Sequence, residues 1–510
     1  MPYPGKLTRC VASGIIGFAC LAGVLPQAAY AQTPVSITNQ TPGPTPFIEN
    51  ITTDTTGRAP LTYVAYQIAP KPGSHTRPIT VIYTASHLAA EGDVTSTSVT
   101  VPVFGLYAGS TNNVYLYYIF GNTAATFSVA FLKTTVTTAS YVDPCNRLNT
   151  PAVQQNRTST SSIGFDLFLL KNSCSSDFPS IIDTDGNVRW VGDAHVSTQS
   201  AILYNNAIYA SDGGSGVNKI TLDGIVTKLA DYSAGYNVTF TGHHNFDPGR
   251  NGIIIDVNTT TQTESTELEV DSNTGKVLQV WDMGQIISAA MIAGGDGAKV
   301  NQFVYPVGND WFHNNSSTYN RADNTLILSS RENFVIAVDY DTPADGVKKI
   351  HWILGDPTKH WAQFPSLQKF ALTPTSGTVI PIGQHALSID HLGNLLLFDD
   401  GTGSLFQQPA GITRTQSAAR SYTINTASMT ANEVFTYAPP GKYSAFCGSV
   451  YEATPNNYLV DFTLADNNQT TELQGLGTNG SLVFDIQYPV ANFCGGGYNA
   501  NPIPTTYYIP

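Results

Sequence analysis

The chain has 510 residues, of which 42% are hydrophobic and only 12% charged, against roughly 25% charged in an ordinary soluble domain. That balance excludes an intrinsically disordered protein and leaves enough apolar material for a large packed core. A formal net charge of −13 excludes an extended nucleic-acid-binding surface, because phosphate recognition needs a concentrated excess of Lys and Arg.

Lys6 and Arg9, an apolar run over residues 15–25 and the sequence Ala29-Tyr30-Ala31 have the pattern of a secretory signal peptide over residues 1–31. The run is too short to cross a bilayer and no later stretch reaches about 20 apolar residues, so stable membrane insertion is not expected. A periplasmic or secreted protein follows. Beyond the leader stand Cys145, Cys174, Cys447 and Cys494, an even number suited to an oxidising compartment. Sequence proximity favours the pairs Cys145–Cys174 and Cys447–Cys494.

After residue 32, helical periodicity is scarce. Short β-branched and aromatic strands separated by Gly, Asn and Asp turns recur instead. A Pro- and Thr-rich lead-in precedes alternating strands around residues 80–83, 97–101 and 113–118. These predict a small amino-terminal β-sandwich over residues 32–142. Further on, a hairpin signature recurs six times, near residues 182–190, 220–226, 270–281, 338–352, 422–437 and 477–484. Each copy is strand, polar turn, strand, as in Ile182-Asp183-Thr184-Asp185-Gly186-Asn187-Val188. A second repeat precedes most copies: a turn with Asn or Gly feeding an apolar strand at Ile253, Leu326, Leu395 and Leu459. Two hairpins per unit make a four-stranded blade. Six units predict an all-β, six-bladed β-propeller over residues 143–510, whose radial closure protects the sheet edges. A large sandwich is the alternative, and it does not explain paired repeats.

Propeller sites lie on the central channel, reached from the innermost strand or the loop entering it. Just ahead of three successive apolar strands come His243-His244-Asn245, His313-Asn314-Asn315 and Gln384-His385-Ala386. Arg331 finishes the apolar strand of the His313 blade, and in a chain with so few cations it reads as a planar donor for a tetrahedral anion. Histidines and an arginine converging on a channel suit a sulfate or phosphate ester, with imidazole as nucleophile, acid or base. Zinc is the alternative for a histidine cluster. No metal is expected, because the guanidinium repels a dication and no carboxylate accompanies these motifs.

The ordered set Asp310-Trp311-Phe312-His313-Asn314-Asn315-Ser316, Leu328-Ser329-Ser330-Arg331, Trp352-Ile353-Leu354-Gly355-Asp356-Pro357 and Gly383-Gln384-His385 resembles the bacterial arylsulfate sulfotransferases over roughly residues 180–460. The resemblance implies an exported enzyme with a sandwich ahead of a six-bladed propeller. It moves a sulfuryl group from an aryl sulfate donor to a phenolic acceptor, with no nucleotide sulfate donor or other cofactor. It implies that His385 is transiently sulfated, giving ping-pong kinetics, and that His313 and Arg331 hold the sulfuryl oxygens with Asn315 as a polar contact. One of His243 and His244 matches a further channel histidine, and the motif does not say which. The chain departs from better-known members in having no cysteine between Gly355 and His385, where some carry a small disulfide loop.

Aryl esters also imply an aromatic channel mouth, for which Trp311, Phe312, Tyr305 and Trp361 are candidates against the plainer reading of blade packing. His351 and His391 read as structural or surface residues, and His360 sits in a loop that could overhang the site. A homodimer is open. The rival function is a non-catalytic propeller that binds a ligand or protein, since fold alone does not fix function.

Overall fold

The computed structural model describes residues 35–158, 160–171, 179–192, 197–305, 309–490 and 498–510. The expected leader, Cys174 and Cys494 lie outside them. Cys145 and Cys447 are both disulfide-bonded.

Six sheets of four principal strands follow one another along the chain. From the inside outwards, blade I is Tyr498–Ile503, Leu167–Lys171, Ser180–Asp183 and Val188–Val191. Blade II is Ser197–Tyr204, Ala207–Ser211, Gly216–Thr221 and Val226–Asp231. Blade III is Val238–Pro248, Ile253–Thr259, Thr266–Val270 and Val277–Asp282. Blade IV is Asn314–Asn320, Thr325–Ser330, Val335–Asp339 and Ile350–Leu354. Blade V is His385–Ile389, Leu395–Asp399, Ala418–Asn425 and Thr430–Tyr437. Blade VI is Ser449–Thr454, Asn457–Leu464, Thr470–Leu476 and Leu482–Pro489.

Each innermost strand touches the innermost strand of the next blade, and blade VI touches blade I, so the ring closes. The closure uses both ends of the domain. Tyr498–Ile503 takes the inner place of blade I against Leu167–Lys171, and Ala152–Gln155 adds an outer strand to blade VI. The fold is therefore the expected six-bladed propeller. All six hairpin repeats are the third and fourth strands of their blades, and the second repeat is the turn into the second strand.

The second strands are buried throughout, as in Thr325–Ser330 and Leu395–Asp399, because neighbouring blades cover both faces. They therefore read as continuous apolar runs rather than alternating ones. The outer strand Val226–Asp231, facing water, has no buried residue. Trp190, Trp281, Trp311, Trp352 and Trp361 fill the wedges between sheets, where truncating one to Ala costs about 3–5 kcal/mol.

The amino-terminal unit packs the three strands Ser36–Pro42, Ile48–Asp54 and Ser98–Phe104 against a five-stranded sheet that includes Leu61–Ile68 and Thr111–Phe120. Its core holds Ile51, Val64, Tyr66, Val101, Leu116 and Tyr118. The last strand, Thr506–Ile509, crosses back to this sheet and pairs in parallel with Ile79–Thr84. Tyr507 is buried there, edge-on to Phe104 at 5.6 Å. The expectation that everything beyond residue 143 is propeller is amended to that extent. Among the described residues no helix is long and apolar enough to cross a membrane.

Candidate active site

Blades III, IV and V each break register within the innermost strand. The shifts fall between Thr241 and Phe246, between Asn314 and Ser316, and between His385 and Ser388. A bulge re-aims side chains that would otherwise alternate between faces. Positive φ angles mark the same places: Gly242 at 70°, His313 at 55° and Ala386 at 55°. At Gly242 a Cβ would lie 2.2 Å from Cβ of Ser200, so only glycine fits and the bulge is built into the sequence.

These bulges gather the four histidines. The His244 ring lies 4.5 Å from His313 and 6.3 Å from His385, and His243 is 6.1 Å from His313. The structure thus distinguishes the adjacent pair: His244 is buried in the middle of the cluster, while the His243 side chain is 36% exposed at its edge. Their Nδ1 atoms are 2.9 Å apart, and the His244 amide donates to Asp256 at 2.8 Å.

Carboxylates do accompany the histidines, contrary to the sequence expectation. Glu264, on the loop between the second and third strands of blade III, is within 2.8 Å of His243 Nε2 and 2.9 Å of His313 Nδ1. Asp310 also pairs with His313 Nδ1. Burial would depress the His313 imidazole, but Glu264 and then Asp310 outweigh it and push it up to about 10. Burial likewise opposes both other shifts here: Glu264 is nonetheless held well below its ordinary value by His313 and His243, and His243 is raised by Glu264. His244 is driven well below the usual imidazole range by burial and by the neighbouring charges of His313 and His243. The cluster therefore holds a cationic His313 beside a neutral His244 at neutral pH. Among the described residues two overlapping sets, His243–His244–Glu264 and Glu264–Asp310–His313, bring ligand atoms within 4.8 Å of one another and could hold a metal ion.

On the blade V side, His385 Nδ1 lies 2.5 Å from Asp400 and 3.1 Å from the Gly383 carbonyl. Nδ1 is thus committed, and Nε2 is the nitrogen left for a substrate. Gly383 has φ 68° and a Cβ there would meet the Thr402 carbonyl at 2.4 Å. The Gln384 carbonyl accepts from Asn315 Nδ2 at 2.9 Å and Ser329 Oγ at 3.0 Å, anchoring His385 to blade IV. Asn315 is itself buried, and its Oδ1 has no hydrogen-bond partner among the described residues.

Arg331 follows the second strand of blade IV, 1% exposed, with its amide donating to the His313 carbonyl at 3.0 Å. Nη1 is held by Glu332 at 2.5 Å, while Nη2 has no hydrogen-bond partner among the described residues. An unpaired buried guanidinium N–H is costly unless an anion completes it. The guanidinium lies 4.6 Å from the ring of Phe446. Tyr498 stands 5.8 Å from His244 and 6.4 Å from His385.

Trp311, Phe312 and Trp361, expected at the channel mouth, are buried in the packing of the fold. Trp311 and Phe312 are fully buried in a cluster with Phe303 and Phe334, and Trp361 packs on the same Phe334. Their side chains brace blades III and IV, because the backbone turn that delivers His313 points the two preceding rings into the inter-blade wedge. Tyr305 packs at the margin of this cluster. His351 and His391 pair with Asp339 and Glu452 on the exterior, and His360 contacts the Gln302 carbonyl.

The sequence reading missed Glu264, Asp310, Asp400 and Tyr498. Two signals were available. Asp310 opens the motif that ends in His313, and Asp400 stands five residues after Leu395, as Arg331 stands five after Leu326. Glu264 and Tyr498 are brought in by loop and ring closure and leave no local pattern.

The fold and site define a six-bladed propeller whose blades III, IV and V gather four imidazoles with carboxylates beside them, and a buried guanidinium at the end of a blade IV strand. A family model described as arylsulfotransferase (ASST) matches residues 152–498, and the chain belongs to that family. It is similar to arylsulfate sulfotransferase AssT of Escherichia coli O6:H1, 28% identical over 44% of this chain, and to that of Lelliottia amnigena, 26% identical over 35%. The matches span 40% and 35% of those proteins' own lengths. Among solved structures, the Cps50 (Swd1) β-propeller domain of Myceliophteria thermophila gives a TM-score of 0.35 at 10% identity, covering 67% of this chain and all of that one.

Proposed function

We propose that the protein is an exported arylsulfate sulfotransferase that moves a sulfuryl group from an aryl sulfate to a phenol through a sulfated His385. It uses neither a nucleotide sulfate nor a metal. The observation that carries this reading is that Asp400, which fixes His385 Nδ1, also feels the charge of Arg331, whose buried Nη2 has no hydrogen-bond partner among the described residues. His385 supplies a directed nucleophile and Arg331 a waiting anion donor.

In the first half-reaction the Nε2 lone pair of His385 forms a bond to sulfur as the aryl S–O bond breaks. The leaving phenolate takes the electron pair and a proton from His313. Arg331 neutralises the sulfuryl oxygens in a loose, anionic transition state, where positioning and charge supply most of the catalysis. In the second, an acceptor phenol gives its proton to His313 and attacks sulfur, and the N–S pair returns to Nε2. His313, raised to about 10, is matched to a phenol of pKa about 10, so the proton crosses either way at little cost. Asp400 holds the imidazole in the tautomer that attacks.

The same reading removes residues 1–31, places the protein in the periplasm or the medium, and closes Cys145–Cys174 and Cys447–Cys494. The sandwich takes residues 32–142 and the propeller residues 143–510, save for the returning last strand. The rival, a binding propeller without chemistry, has no use for a directed His385 nucleophile.

The test is purified full-length protein with a chromogenic aryl sulfate, with and without a phenol and after dialysis against EDTA. Acceptor-dependent release that survives the chelator is expected, with one label per chain on His385 when acceptor is omitted. Release into water alone means a sulfatase, and no release or label means the rival.

A further inference from the structure

Glu332 is fully buried beside the site, and neither the proton transfers nor the sulfuryl clamp accounts for it. Its two carboxylate oxygens face different partners. Oε1 accepts from Arg331 Nη1 at 2.5 Å. Oε2 accepts the backbone amides of Leu405 and Phe406, each at 2.8 Å, and of Gln407 at 3.4 Å. The Glu332 carbonyl also takes the Ser404 hydroxyl. A single carboxylate thus ties the guanidinium to a loop of blade V.

That loop is fastened from the other sides as well. Gln407 Nε2 donates to the carbonyls of Trp311 at 3.2 Å and Phe303 at 3.3 Å, joining it to the segment that delivers His313. Lys359 bridges to Ala410 along the backbone and donates to the Arg331 carbonyl at 3.0 Å. Within so constrained a loop, Leu405 and Phe406 have their backbone amides bound by Glu332, yet the residues are 53% and 56% exposed. Two adjacent large apolar residues on a loop fastened to a buried cation offer an apolar surface of fixed position, which a ligand's apolar part can use.

We infer that Leu405 and Phe406 form the lip that grips the aryl group of donor and acceptor, and that Glu332 is the positioning residue coupling this lip to Arg331. The inference rests on the sulfotransferase reading and names where its aryl specificity resides. Trp311 and Phe312 cannot serve there, being sealed between blades. The lip supplies the apolar surface within one carboxylate of the sulfuryl clamp. Glu332 also fixes one edge of the guanidinium, so that Nη2 keeps its aim when a ring rests on the lip.

The test compares wild type, the Leu405→Ala/Phe406→Ala double variant, Glu332→Gln and Glu332→Asp. Each is assayed with phenyl sulfate and naphthyl sulfate, and for binding of naphthalene sulfonate, an analogue that cannot transfer. The lip variant, altered only at exposed side chains, should keep its melting temperature. Its KM for naphthyl sulfate should rise about tenfold and for phenyl sulfate less, with the rate of labelling at saturation within about threefold of wild type. Glu332→Gln should lower that saturated rate about tenfold and raise both KM values, and Glu332→Asp should recover part of each. An active enzyme whose lip variant keeps both KM values within about twofold overturns the lip. A Glu332→Gln enzyme that melts earlier but keeps rate and KM overturns the coupling. If wild type transfers nothing yet loses sulfonate affinity in the lip variant, the lip stands as a binding surface and the transfer reading fails. Unchanged sulfonate affinity in such an inactive protein overturns both.

Discussion

Blades III, IV and V and the pair I and VI are built from one four-stranded unit, yet they bring different chemistry to the channel. The first three supply His243, His244, His313 and His385. Blade I supplies Tyr498, and the turn into blade VI supplies Phe446. The bulge itself does not distinguish them, for the inner strand of blade I also shifts register, between Tyr498 and Ala500. The fold provides a repeated device for aiming one side chain into the channel, and the residue type at that place decides what it does there. Among the described residues the acid–base and anion-binding groups therefore lie on the arc of blades III–V, and Tyr498 and Phe446 form an aromatic arc beside them from blades I and VI.

The largest effect that can break this division is at the nucleophile. His385→Asn should lower turnover by more than about 1,000-fold and abolish covalent labelling, because the remaining histidines are committed to Glu264 and to each other. Intact-mass analysis after an alkaline quench reads the label directly. A label surviving in His385→Asn moves the nucleophile to His313 and erases the distinction between blades IV and V.

Arg331→Ala should cost on the order of 100-fold, the usual result of losing one preorganised donor to a developing anion. Arg331→Lys should recover little, since an ammonium cannot hold Glu332 and present a second donor in one plane. Full activity with lysine would show that charge alone suffices. Asp400→Asn should cost on the order of 10-fold to 100-fold in labelling rate, because the imidazole is no longer held as the attacking tautomer. A variant that labels at the wild-type rate would leave Asp400 a packing residue.

How much of this was legible in the sequence follows from the same division. The blades were readable because strands covered on both faces are written as apolar runs between polar turns, and six copies reinforce one another. The three histidine blades were readable because residue and repeat position coincide. The aromatic arc was not. Trp311 and Phe312 adjoin His313 in sequence, but adjacency along a turning backbone sends neighbours in opposite directions, and both enter the wedge. Tyr498 reaches the site only because the end of the chain returns to close blade I, and Glu264 only because a loop at φ 44° folds over the cluster. Contacts made by closure carry no local signature. The returning strand Thr506–Ile509 was missed for the same reason.

A smaller effect sharpens the aromatic side. Tyr498→Phe removes a hydroxyl that donates to the Asn315 carbonyl at 3.3 Å but keeps the ring beside His244 and His385. The saturated rate should fall by only about 2-fold to 5-fold, in keeping with a single neutral hydrogen bond worth about 0.5–1.5 kcal/mol. Tyr498→Ala should instead raise KM for aryl donors. If the two variants behave alike, the hydroxyl and not the ring is what blade I contributes.

The smallest effect concerns the charge stored on the histidine arc. His313 is raised from 6.5 in the unfolded chain to about 10 in the fold, so its protonated form is favoured by folding. Its stabilisation is complete below about pH 6.5 and is lost as pH rises through about 10. Glu264 is shifted the other way. Its contribution is present above about 4.5 and is lost as pH falls through its depressed folded value. Between these limits the pair is fully formed, and the alkaline limb reports His313. Lysines and tyrosines elsewhere also titrate near pH 10, so the melting curve of wild type alone is not diagnostic. The difference in melting temperature between wild type and His313→Gln removes their contribution. That difference should be several degrees at pH 6.5 and should shrink steadily towards pH 10. A difference independent of pH would mean that His313 is neutral in the fold, and its role as the proton carrier to the phenolate would pass to His243.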